Sequence, residues 1–314
     1  MSSGELDRLR EIIRRLRREP DGALVGIGDD AAVLAGCDRG LVLSVDAQVQ
    51  GVHFRPELLG WRDVGFRSLV AALSDLAAMG AEPRAALLAL VLPDAFPDEQ
   101  LYSLIDGVAE ASDSYGSPVV GGNLSRGGEL SITTTVMGEA PNGVLTRSGA
   151  IPGDLVLVTG TVGDAALGLA RLQAGLGPGA ERYVERWRRP ITRLQEGRRL
   201  LGLATAAIDL SDGLLLDLER VCEASGVGAL IEADALPLGE GFRRLAGELG
   251  LDPIRLALSG GEQYELLFTA SPETGARELG TSIGRVVSEP ARVQVVDEQG
   301  RPIDIDTPGY THWR

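Results

Sequence analysis

The pattern of apolar and polar residues along the chain predicts helices and strands that alternate from one end to the other. Apolar residues three and four positions apart are typical of helices, and short apolar or alternating runs are typical of strands. Helices are predicted at 4–18, 62–79, 98–114, 164–174, 192–202, 214–225 and 239–249, and strands at 41–46, 85–92, 119–120, 129–138, 155–159, 206–208, 229–232, 264–269, 282–287 and 292–296. This mixture predicts an α/β fold (α+β mixed).

A segment rich in Pro and Gly interrupts this pattern near the middle of the chain. Residues 139–154 include Pro141, Gly143 and Pro152, which favour turns and loops over regular structure. A chain of 314 residues is long enough for about two domains. We therefore predict an N-terminal domain at 1–142 and a C-terminal domain at 143–314.

The composition excludes several classes of function. A net charge of −15 disfavours binding to nucleic acid or to an anionic membrane surface. The sequence has no run of 18 apolar residues that could span a membrane, and its first residues lack the apolar core of a signal peptide. Cys37 and Cys222 are isolated from each other, which is typical of reduced thiols in a cytoplasmic protein.

All 30 basic residues are Arg, and the sequence contains no Lys. A Walker-type phosphate-binding loop requires a Lys on the β- and γ-phosphates, so that class of nucleotide site is excluded. If the chain binds a nucleotide, Arg side chains and metal ions held by carboxylates must neutralise the phosphates.

The stretch Asp209-Leu210-Ser211-Asp212-Gly213 lies between a predicted strand and a predicted helix. Side chains on such a turn are held by rigid elements and still point into open space. Two close carboxylates repel each other, and each needs a compensating partner. An alternative interpretation is an ordinary helix start, capped by Ser211 or Asp212, with Asp217 in solvent. The stretch alone leaves both interpretations open.

Acidic residues recur at four places: Asp29/Asp30, Asp46, Asp75 and Asp209/Asp212. The first pair occupies a predicted Gly-rich turn, Asp46 ends a predicted strand, and Asp75 lies inside an apolar helix, where a carboxylate without a partner is costly. Several carboxylates from separate elements suit Mg²⁺ ions that bridge a polyphosphate. Each Asp alone is also compatible with a simple turn or solvated position.

With these residues in view, the chain resembles the thiamine-monophosphate kinase family, of the aminoimidazole ribonucleotide synthetase-related superfamily. The matching stretches are 26–32, 46–54, 73–81, 121–123, 145–154, 208–213, 259–262 and 309–313. Each stretch alone is weakly specific, but the ordered set covers nearly the whole chain and is highly specific.

The resemblance implies a two-domain fold in which ATP binds between the domains and the N-terminal domain forms a barrel across a homodimer. It also implies transfer of the γ-phosphoryl group of ATP to thiamine monophosphate, which gives thiamine diphosphate. The acceptor is a phosphate oxygen that is ionised near neutral pH, so we assign no residue as a general base.

The resemblance further implies three groups of site residues. The residues expected to bind Mg²⁺ are Asp30, Ser44, Asp46, Asp75, Asn123, Asp209 and Asp212. Those expected to contact ATP are Gly122, Asn123, Arg147 and Ser211, and those expected to contact thiamine monophosphate are His53, Glu262 and Tyr310. Arg147 also has an independent rationale, because a guanidinium in a loop can hold phosphate oxygens bidentately.

Some observations weaken single assignments. The family usually has Asp at the position of Asn123, and a neutral amide would bind a metal more weakly or share it with ATP. The family also has Asp at the position of Gln263. The simpler alternatives are a loop histidine at His53, a turn acid at Glu262, and an aromatic anchor of the chain end at Tyr310.

Two other functions remain as alternatives. Another ATP-dependent synthetase of the superfamily, of the selenophosphate or aminoimidazole ribonucleotide type, would share the fold. Selenophosphate synthetases use a reactive Cys and a Lys near the N-terminus, and this chain has neither there. A catalytically silent nucleotide-binding regulator would require a broken Asp cluster, whereas only Asn123 departs from the expected set.

Overall fold

The computed structural model describes residues 11–16, 23–25, 33–34, 40–175, 179–289, 292–306 and 309–310. Residues 11–15 are helical, within the helix predicted at 4–18. The predicted metal ligand Asp30, its neighbour Asp29, and the matching residues 311–313 lie outside the described residues.

The chain divides into two compact units, one formed by Met1–Leu76 with Ala81–Pro141 and the other by Ala77–Gly80 with Asn142–Arg314. Up to residue 141 the elements are β1 (Ala23–Val25), β2 (Val33–Leu34), β3 (Gly40–Val49), α1 (Trp61–Ala78), β4 (Glu82–Leu92), α2 (Asp98–Tyr115), β5 (Val119–Arg126) and β6 (Ser131–Ala140). Strands β3, β6, β4 and β5 form a sheet in that order.

One face of this four-stranded sheet is buried. Ile132, Thr134 and Val136 alternate along β6 with at most 1% exposure, as the alternation at 129–138 predicts. Leu76 of α1 approaches Gly138 of β6, so the helix covers this face. The apolar pattern of the helix predicted at 62–79 is thereby confirmed and explained.

Strands β3 and β5 are longer than the sequence predicts. The predicted strand end at Asp46 is wrong, because β3 pairs with β6 as far as Val49. The predicted strand end at Val120 is also wrong, because residues 121–123 pair in parallel with β4. The approach is close enough that a Cβ at Gly122 would lie 1.9 Å from the Leu88 carbonyl oxygen. A glycine at position 122 therefore allows β4 and β5 to pack closely.

The second unit contains a seven-stranded sheet in the order β13-β12-β9-β11-β7-β10-β8. Its elements are β7 (Leu155–Val158), α3 (Asp164–Gln173), α4 (Glu181–Arg188), α5 (Leu194–Leu200), β8 (Ala206–Asp209), α6 (Leu214–Ser225), β9 (Gly228–Glu232), α7 (Phe242–Gly247), α8 (Pro253–Ser259), β10 (Leu266–Ala270), β11 (Thr281–Val287), β12 (Val293–Val296) and β13 (Pro302–Ile303). Ile208, Leu218 and Leu267 belong to its buried core.

Two short helices of this unit were not predicted. Helix α4 has only two buried apolar side chains, Tyr183 and Trp187, which is too few for a recognisable period. Helix α8 begins at a local signal, since the Asp252 carboxylate accepts the N–H groups of Ile254 and Arg255 at 2.8 and 3.2 Å. Among the described residues, no helix has the length and apolarity needed to cross a membrane.

Candidate active site

The turn at 209–213 joins β8 to α6, and a side chain from the helix holds its backbone. The Asp217 Oδ2 atom accepts the N–H groups of Ser211, Asp212 and Gly213, each at 3.1 Å. Asp217 has 0% exposure, so the interpretation of a solvated Asp217 is wrong. The capping interpretation is wrong as well, because Gly213 occupies the cap position and, within the described residues, no side chain caps α6 there.

Arg220 compensates the two carboxylates nearest this turn. Its Nη1 atom lies 2.6 Å from Asp217 Oδ1, and its Nη2 atom lies 2.6 Å from Asp212 Oδ2. Burial raises the pKa of Asp217 to about 6, while the Arg220 charge and the turn N–H groups act in the opposite direction. Asp212 and Asp217 therefore share one compensating cation, the Arg220 guanidinium.

Asp209 is the last residue of β8, and its 4% exposure makes it the most buried of the predicted ligands on this turn. It pairs in the sheet with Leu266 of β10. The strand fixes Asp209, and Asp217 fixes the backbone of Ser211 and Asp212. The structure thus brings three predicted site residues together within one rigid segment.

The segment around Glu262 lies directly against the turn. The Glu262 N–H donates to the Ser211 carbonyl oxygen at 2.7 Å, and the Tyr264 N–H donates to that of Leu210 at 2.8 Å. A Cβ at Gly261 would lie 2.6 Å from the Ser211 oxygen, which explains the glycine there. Glu262 Oε2 accepts the Trp187 indole N–H at 2.8 Å. Glu262 is therefore a held carboxylate next to the turn.

Gln263 is buried, and its amide both donates and accepts. Nε2 donates to the Thr161 carbonyl oxygen at 2.7 Å, and Oε1 accepts the Ala165 N–H at 3.1 Å. An ionised carboxylate can only accept, so an Asp here could not make the bond to Thr161. Gln263 therefore makes a hydrogen bond to Thr161 that the Asp usual in the family could not make.

Tyr310 also lies beside the turn. Its N–H donates to the Asp212 carbonyl oxygen at 2.9 Å, and its side chain is 46% exposed. The neighbouring Gly309 is so close to Asp212 that a Cβ there would lie 2.7 Å from the same oxygen. The chain near its end folds back onto the turn, as a role for Tyr310 at this site requires.

Arg147 is exposed on a segment that runs beside β8. The Thr146 carbonyl oxygen accepts the Ala207 N–H at 2.9 Å, and the Arg147 carbonyl oxygen accepts the Ser225 hydroxyl at 3.1 Å. The backbone on both sides of the side chain is therefore fixed. The guanidinium extends from an ordered base that is attached to the same strand as Asp209.

In the first unit, Ser44 and Asp75 come together. The Ser44 hydroxyl donates to Asp75 Oδ2 at 2.5 Å. Asp46 lies two residues further along β3 and therefore on the same face. Burial raises the pKa of Asp46, while the hydrogen bond from the Ala47 N–H acts in the opposite direction. Asp75, inside an apolar helix, thus has a hydrogen-bond partner in the neighbouring strand.

His53 lies just beyond β3, and its ring is oriented by the backbone. Its Nδ1 atom accepts the Val49 N–H at 3.1 Å. The neutral ring therefore carries its proton on Nε2. This geometry defines the tautomer of a histidine that follows the strand carrying Ser44 and Asp46.

Strand pairing separates Asn123 from these acids. The row of paired residues that contains Asp46 continues through Thr134 and Leu88 to Gly122. Three interstrand steps separate Asp46 from Gly122, a distance of about 14 Å. Because successive side chains of a strand point to opposite faces, the Asn123 side chain leaves the sheet on the face opposite to that of Asp46. The structure does not bring these two side chains together.

The donors of both groups are oxygen atoms of carboxylates, hydroxyls and an amide. This chemistry fits Mg²⁺, which binds one or two carboxylates and completes its octahedron with water and phosphate oxygens. Within the part of the chain that is described, no three His, Cys, Asp or Glu side chains form a ready-made metal cluster.

Comparison with known proteins decides the family. The N-terminal domain model of AIR synthase related proteins matches residues 28–140, and the C-terminal domain model matches 152–294. The thiamine-monophosphate kinase of Escherichia coli (strain K12) is 39% identical over 100% of this chain and 99% of its own length. The chain belongs to the thiamine-monophosphate kinase family.

Solved structures of this kinase family have the same fold. The thiamine-monophosphate kinase of Stenotrophomonas maltophilia K279a superposes with a TM-score of 0.83 and 37% identity, over 96% of this chain and 99% of that one. AaThiL, solved in complex with AMPPCP and TMP, superposes with a TM-score of 0.82 and 32% identity, over 99% and 97% of the two chains. The predicted two-domain fold of mixed α/β class is confirmed.

Sequence reasoning missed the supporting contacts of three residues at the candidate site: Asp217, Arg220 and Trp187. A signal existed for the first two, because Asp217 and Arg220 are three residues apart and therefore lie on one face of the helix. No comparable signal marked Trp187, since its contact with Glu262 joins positions 75 residues apart.

Proposed function

We propose that the chain phosphorylates thiamine monophosphate with ATP and forms thiamine diphosphate, the last step in the synthesis of that cofactor. The observation that carries this proposal is the full-length identity of 39% to a thiamine-monophosphate kinase. A relative of the same fold was solved with AMPPCP and TMP, which supports ATP and thiamine monophosphate as the two substrates.

In the proposed reaction, a phosphate oxygen of thiamine monophosphate attacks the γ-phosphorus of ATP. A new P–O bond forms, the bond to the β-phosphate oxygen breaks, and ADP leaves with the electron pair. The nucleophile is already ionised, so the chain contributes positioning and charge neutralisation more than proton transfer. No general base is assigned.

Mg²⁺ ions are the proposed cofactor, and when bound they neutralise the phosphate charge. In the first unit Asp30, Ser44, Asp46 and Asp75 are the proposed ligands, with Asn123 at a separate position. In the second unit the proposed ligands are Asp209 and Asp212, both on the turn at 209–213. Arg220 neutralises Asp212 in this structure, so it must share or release that carboxylate when an ion binds.

The proposed nucleotide contacts are Gly122, Asn123, Arg147 and Ser211. Arg147 supplies a guanidinium from an anchored segment, which matters in a chain whose basic residues are all Arg. Gly122 has no side chain to obstruct a ligand at the sheet edge, since β5 is the outermost strand.

The proposed contacts to thiamine monophosphate are His53, Glu262 and Tyr310. The thiazolium ring of thiamine is permanently cationic, and a carboxylate held beside it stabilises that charge. An aromatic face at Tyr310 adds a cation–π attraction of about 0.5–2 kcal/mol. The held Glu262 and the half-exposed Tyr310 both lie against the turn at 209–213, which supports their joint role.

We also propose a homodimer formed through the first unit. Leu41, Leu43 and Val45 alternate along β3 with 56%, 59% and 61% exposure, and β3 is an edge strand of its sheet. An exposed apolar edge strand is a liability that a second copy would remove. The proposed location is the cytoplasm, where the free Cys222 would stay reduced. No nucleic acid or membrane partner is proposed.

The deciding experiment is an assay of ADP release by the purified chain with Mg·ATP and a panel of phosphorylated acceptors. The expected result is ADP release with thiamine monophosphate and formation of thiamine diphosphate in equal amount. Release of ADP with selenide or with an aminoimidazole precursor instead would contradict the proposal and favour a synthetase. Nucleotide binding without turnover on any acceptor would indicate a regulator.

A further inference from the structure

Helix α4 contacts the Glu262 segment through two adjacent side chains. Trp187 Nε1 donates to Glu262 Oε2 at 2.8 Å. Arg186 Nη2 donates to the Gln263 carbonyl oxygen at 3.2 Å and to Glu265 Oε1 at 2.5 Å. A helix of eight residues thus contacts three of the four residues from Glu262 to Glu265.

The segment needs this support because its backbone is unfavourable. Glu262 and Tyr264 have φ angles of 58° and 53°, in the left-handed region that side chains with a Cβ rarely adopt. Such conformations persist only where the surroundings hold them, and they cluster at functional sites. The contacts with α4 and with the 209–213 turn supply that restraint on both sides.

The far end of the segment is fixed by charge. The Glu265 carboxylate has 1% exposure and accepts two hydrogen bonds from Arg193, each at 2.7 Å, besides the bond from Arg186. The Thr159 hydroxyl also donates to it. Glu265 thus anchors the far end of the segment, and the bond to Trp187 is a side-chain contact that orients Glu262 at the near end.

Trp187 itself is too buried to act on a ligand directly. Its exposure is 3%, so neither ring face is available for stacking on a substrate. The indole nitrogen is a donor only, and its N–H is directed at the Glu262 carboxylate. Its contribution to a binding site therefore runs through the orientation of that carboxylate.

We propose that Trp187 is a positioning residue that makes the site selective for a cationic acceptor by fixing the Glu262 carboxylate. A glutamate side chain loses rotamer freedom when it binds a ligand, and a side chain that is already ordered loses less. The inference rests on the proposed function, because it assumes that Glu262 faces the thiazolium ring of thiamine monophosphate.

The test is Trp187→Phe, which keeps an apolar ring and removes the N–H donor. The Michaelis constant for thiamine monophosphate should rise about threefold to tenfold, because the Glu262 carboxylate loses its hydrogen bond from the Trp187 indole N–H. The Michaelis constant for ATP and kcat should stay within about twofold. An equal rise for ATP, or a fall in kcat alone, would overturn the inference.

Tyr183→Phe is the matched control on the same helix. It removes a buried polar atom that donates to the Glu240 carbonyl oxygen at 2.7 Å and leaves the Glu262 contact intact. If loosening of α4 were the cause, both variants would raise the same constant. The inference requires that only Trp187→Phe does so.

A double variant tests whether the two residues act together. Trp187→Phe added to Glu262→Gln should change the Michaelis constant by less than about twofold, because the carboxylate to be positioned is already gone. Effects that multiply would show that Trp187 acts independently of Glu262.

A measurement on the unaltered chain covers the case in which Trp187→Phe does not fold. The Trp187 indole N–H signal, distinguished with Trp61→Phe and Trp313→Phe, should shift in nuclear magnetic resonance spectra when thiamine monophosphate is added. A non-hydrolysable ATP analogue should leave it in place. If calorimetry shows that thiamine monophosphate binds but the Trp187 signal does not shift, the inference is overturned. Absence of binding would contradict the proposed function itself.

Discussion

Asp217 stabilises the turn that carries Asp209 and Asp212 without belonging to it. Replacing Asp217 with Ala removes the acceptor of three backbone N–H groups, and each buried unsatisfied group costs about 1–3 kcal/mol. We expect Asp217→Ala to lower the free energy of unfolding by about 3 kcal/mol or more. Chemical denaturation would measure the change, with the exposed Glu223→Ala on the same helix as control, which should stay within about 0.5 kcal/mol. Equal stability of the two variants would show that solvent replaces Asp217 at no cost.

Asp75 should be needed for turnover. Its carboxylate and the Ser44 hydroxyl are 2.5 Å apart, so both oxygens can bind one ion. We expect Asp75→Asn to retain less than about a tenth of the activity at saturating Mg²⁺, a loss above about 1.4 kcal/mol in the barrier. Asp63→Asn, in the first turn of the same helix, should retain normal activity in the same ADP-release assay. Higher activity of Asp75→Asn would contradict a shared ligand.

Glu262 and Tyr310 should affect one substrate and not the other. Glu262→Gln removes the charge that we propose faces the thiazolium ring, and Tyr310→Ala removes the proposed aromatic contact. Each change should raise the Michaelis constant for thiamine monophosphate and leave that for ATP within about twofold, since loss of uniform binding raises this constant. Initial-rate kinetics with each substrate varied in turn would decide. A variant that weakens ATP instead would place its residue at the nucleotide.

At this scale the sequence identifies candidate site residues more readily than the contacts that hold them. Asp209, Asp212 and Asp75 stand out because acids in apolar or Gly-rich surroundings are conspicuous. The sequence leaves open whether Asp217 is solvated, because its burial depends on backbone donors that only the folded turn presents. Such a contact is defined by three-dimensional proximity and leaves no periodic trace.

Among the elements, the contact between β4 and β5 depends on Gly122. A Cβ there would lie 1.9 Å from the Leu88 carbonyl oxygen, a distance that forces the strands apart. We expect Gly122→Ala to lower the free energy of unfolding by about 1–3 kcal/mol, as overpacking does. Gly128→Ala is the control, because its Cβ would meet nothing within 4 Å. Thermal unfolding of both variants would measure the difference, and matching midpoints would show that the sheet accommodates a methyl group.

The strands and long helices were predictable because their apolar periods extend over many residues. The alternation along β6 and the apolar spacing in α1 are examples. Strand β5 was predicted too short because Gly121 and Gly122 favour turns in isolation, while parallel pairing with β4 extends the strand through them. The predicted strand at 264–269 begins only at Leu266, because Tyr264 adopts a left-handed conformation that no sequence rule assigns to a tyrosine.

For the whole molecule, the proposed dimer depends on the apolar face of β3. Leu43→Glu would place a charge on that face at a position that is 59% exposed in one copy. Burying it against a second copy would be costly, so we expect the Leu43→Glu variant to be a monomer where the wild-type chain is a dimer. Sedimentation at micromolar concentration would show this, with Ile151→Glu, at 57% exposure in the other unit, as a dimeric control. A wild-type chain that sediments only as a monomer would contradict the dimer.

The family and the fold could be inferred from sequence because ordered motifs cover nearly the whole chain. No such pattern defines which atoms meet. The proposed ligands come from β3, α1, β5 and the turn after β8, and their arrangement depends on sheet register and on backbone angles. Register alone moves Asn123 to the opposite face from Asp46, although both were predicted from the same resemblance.

The three hydrogen bonds from the 211–213 backbone to Asp217 should also couple the opening of the turn to the opening of the helix. An amide in a surface turn normally exchanges its hydrogen with water rapidly, whereas these three are shielded for as long as the first turn of α6 stays intact. The turn and the helix should therefore open as one unit, and their amides should exchange at a common rate. The acidic turn would then keep one backbone shape for as long as that helix stays folded.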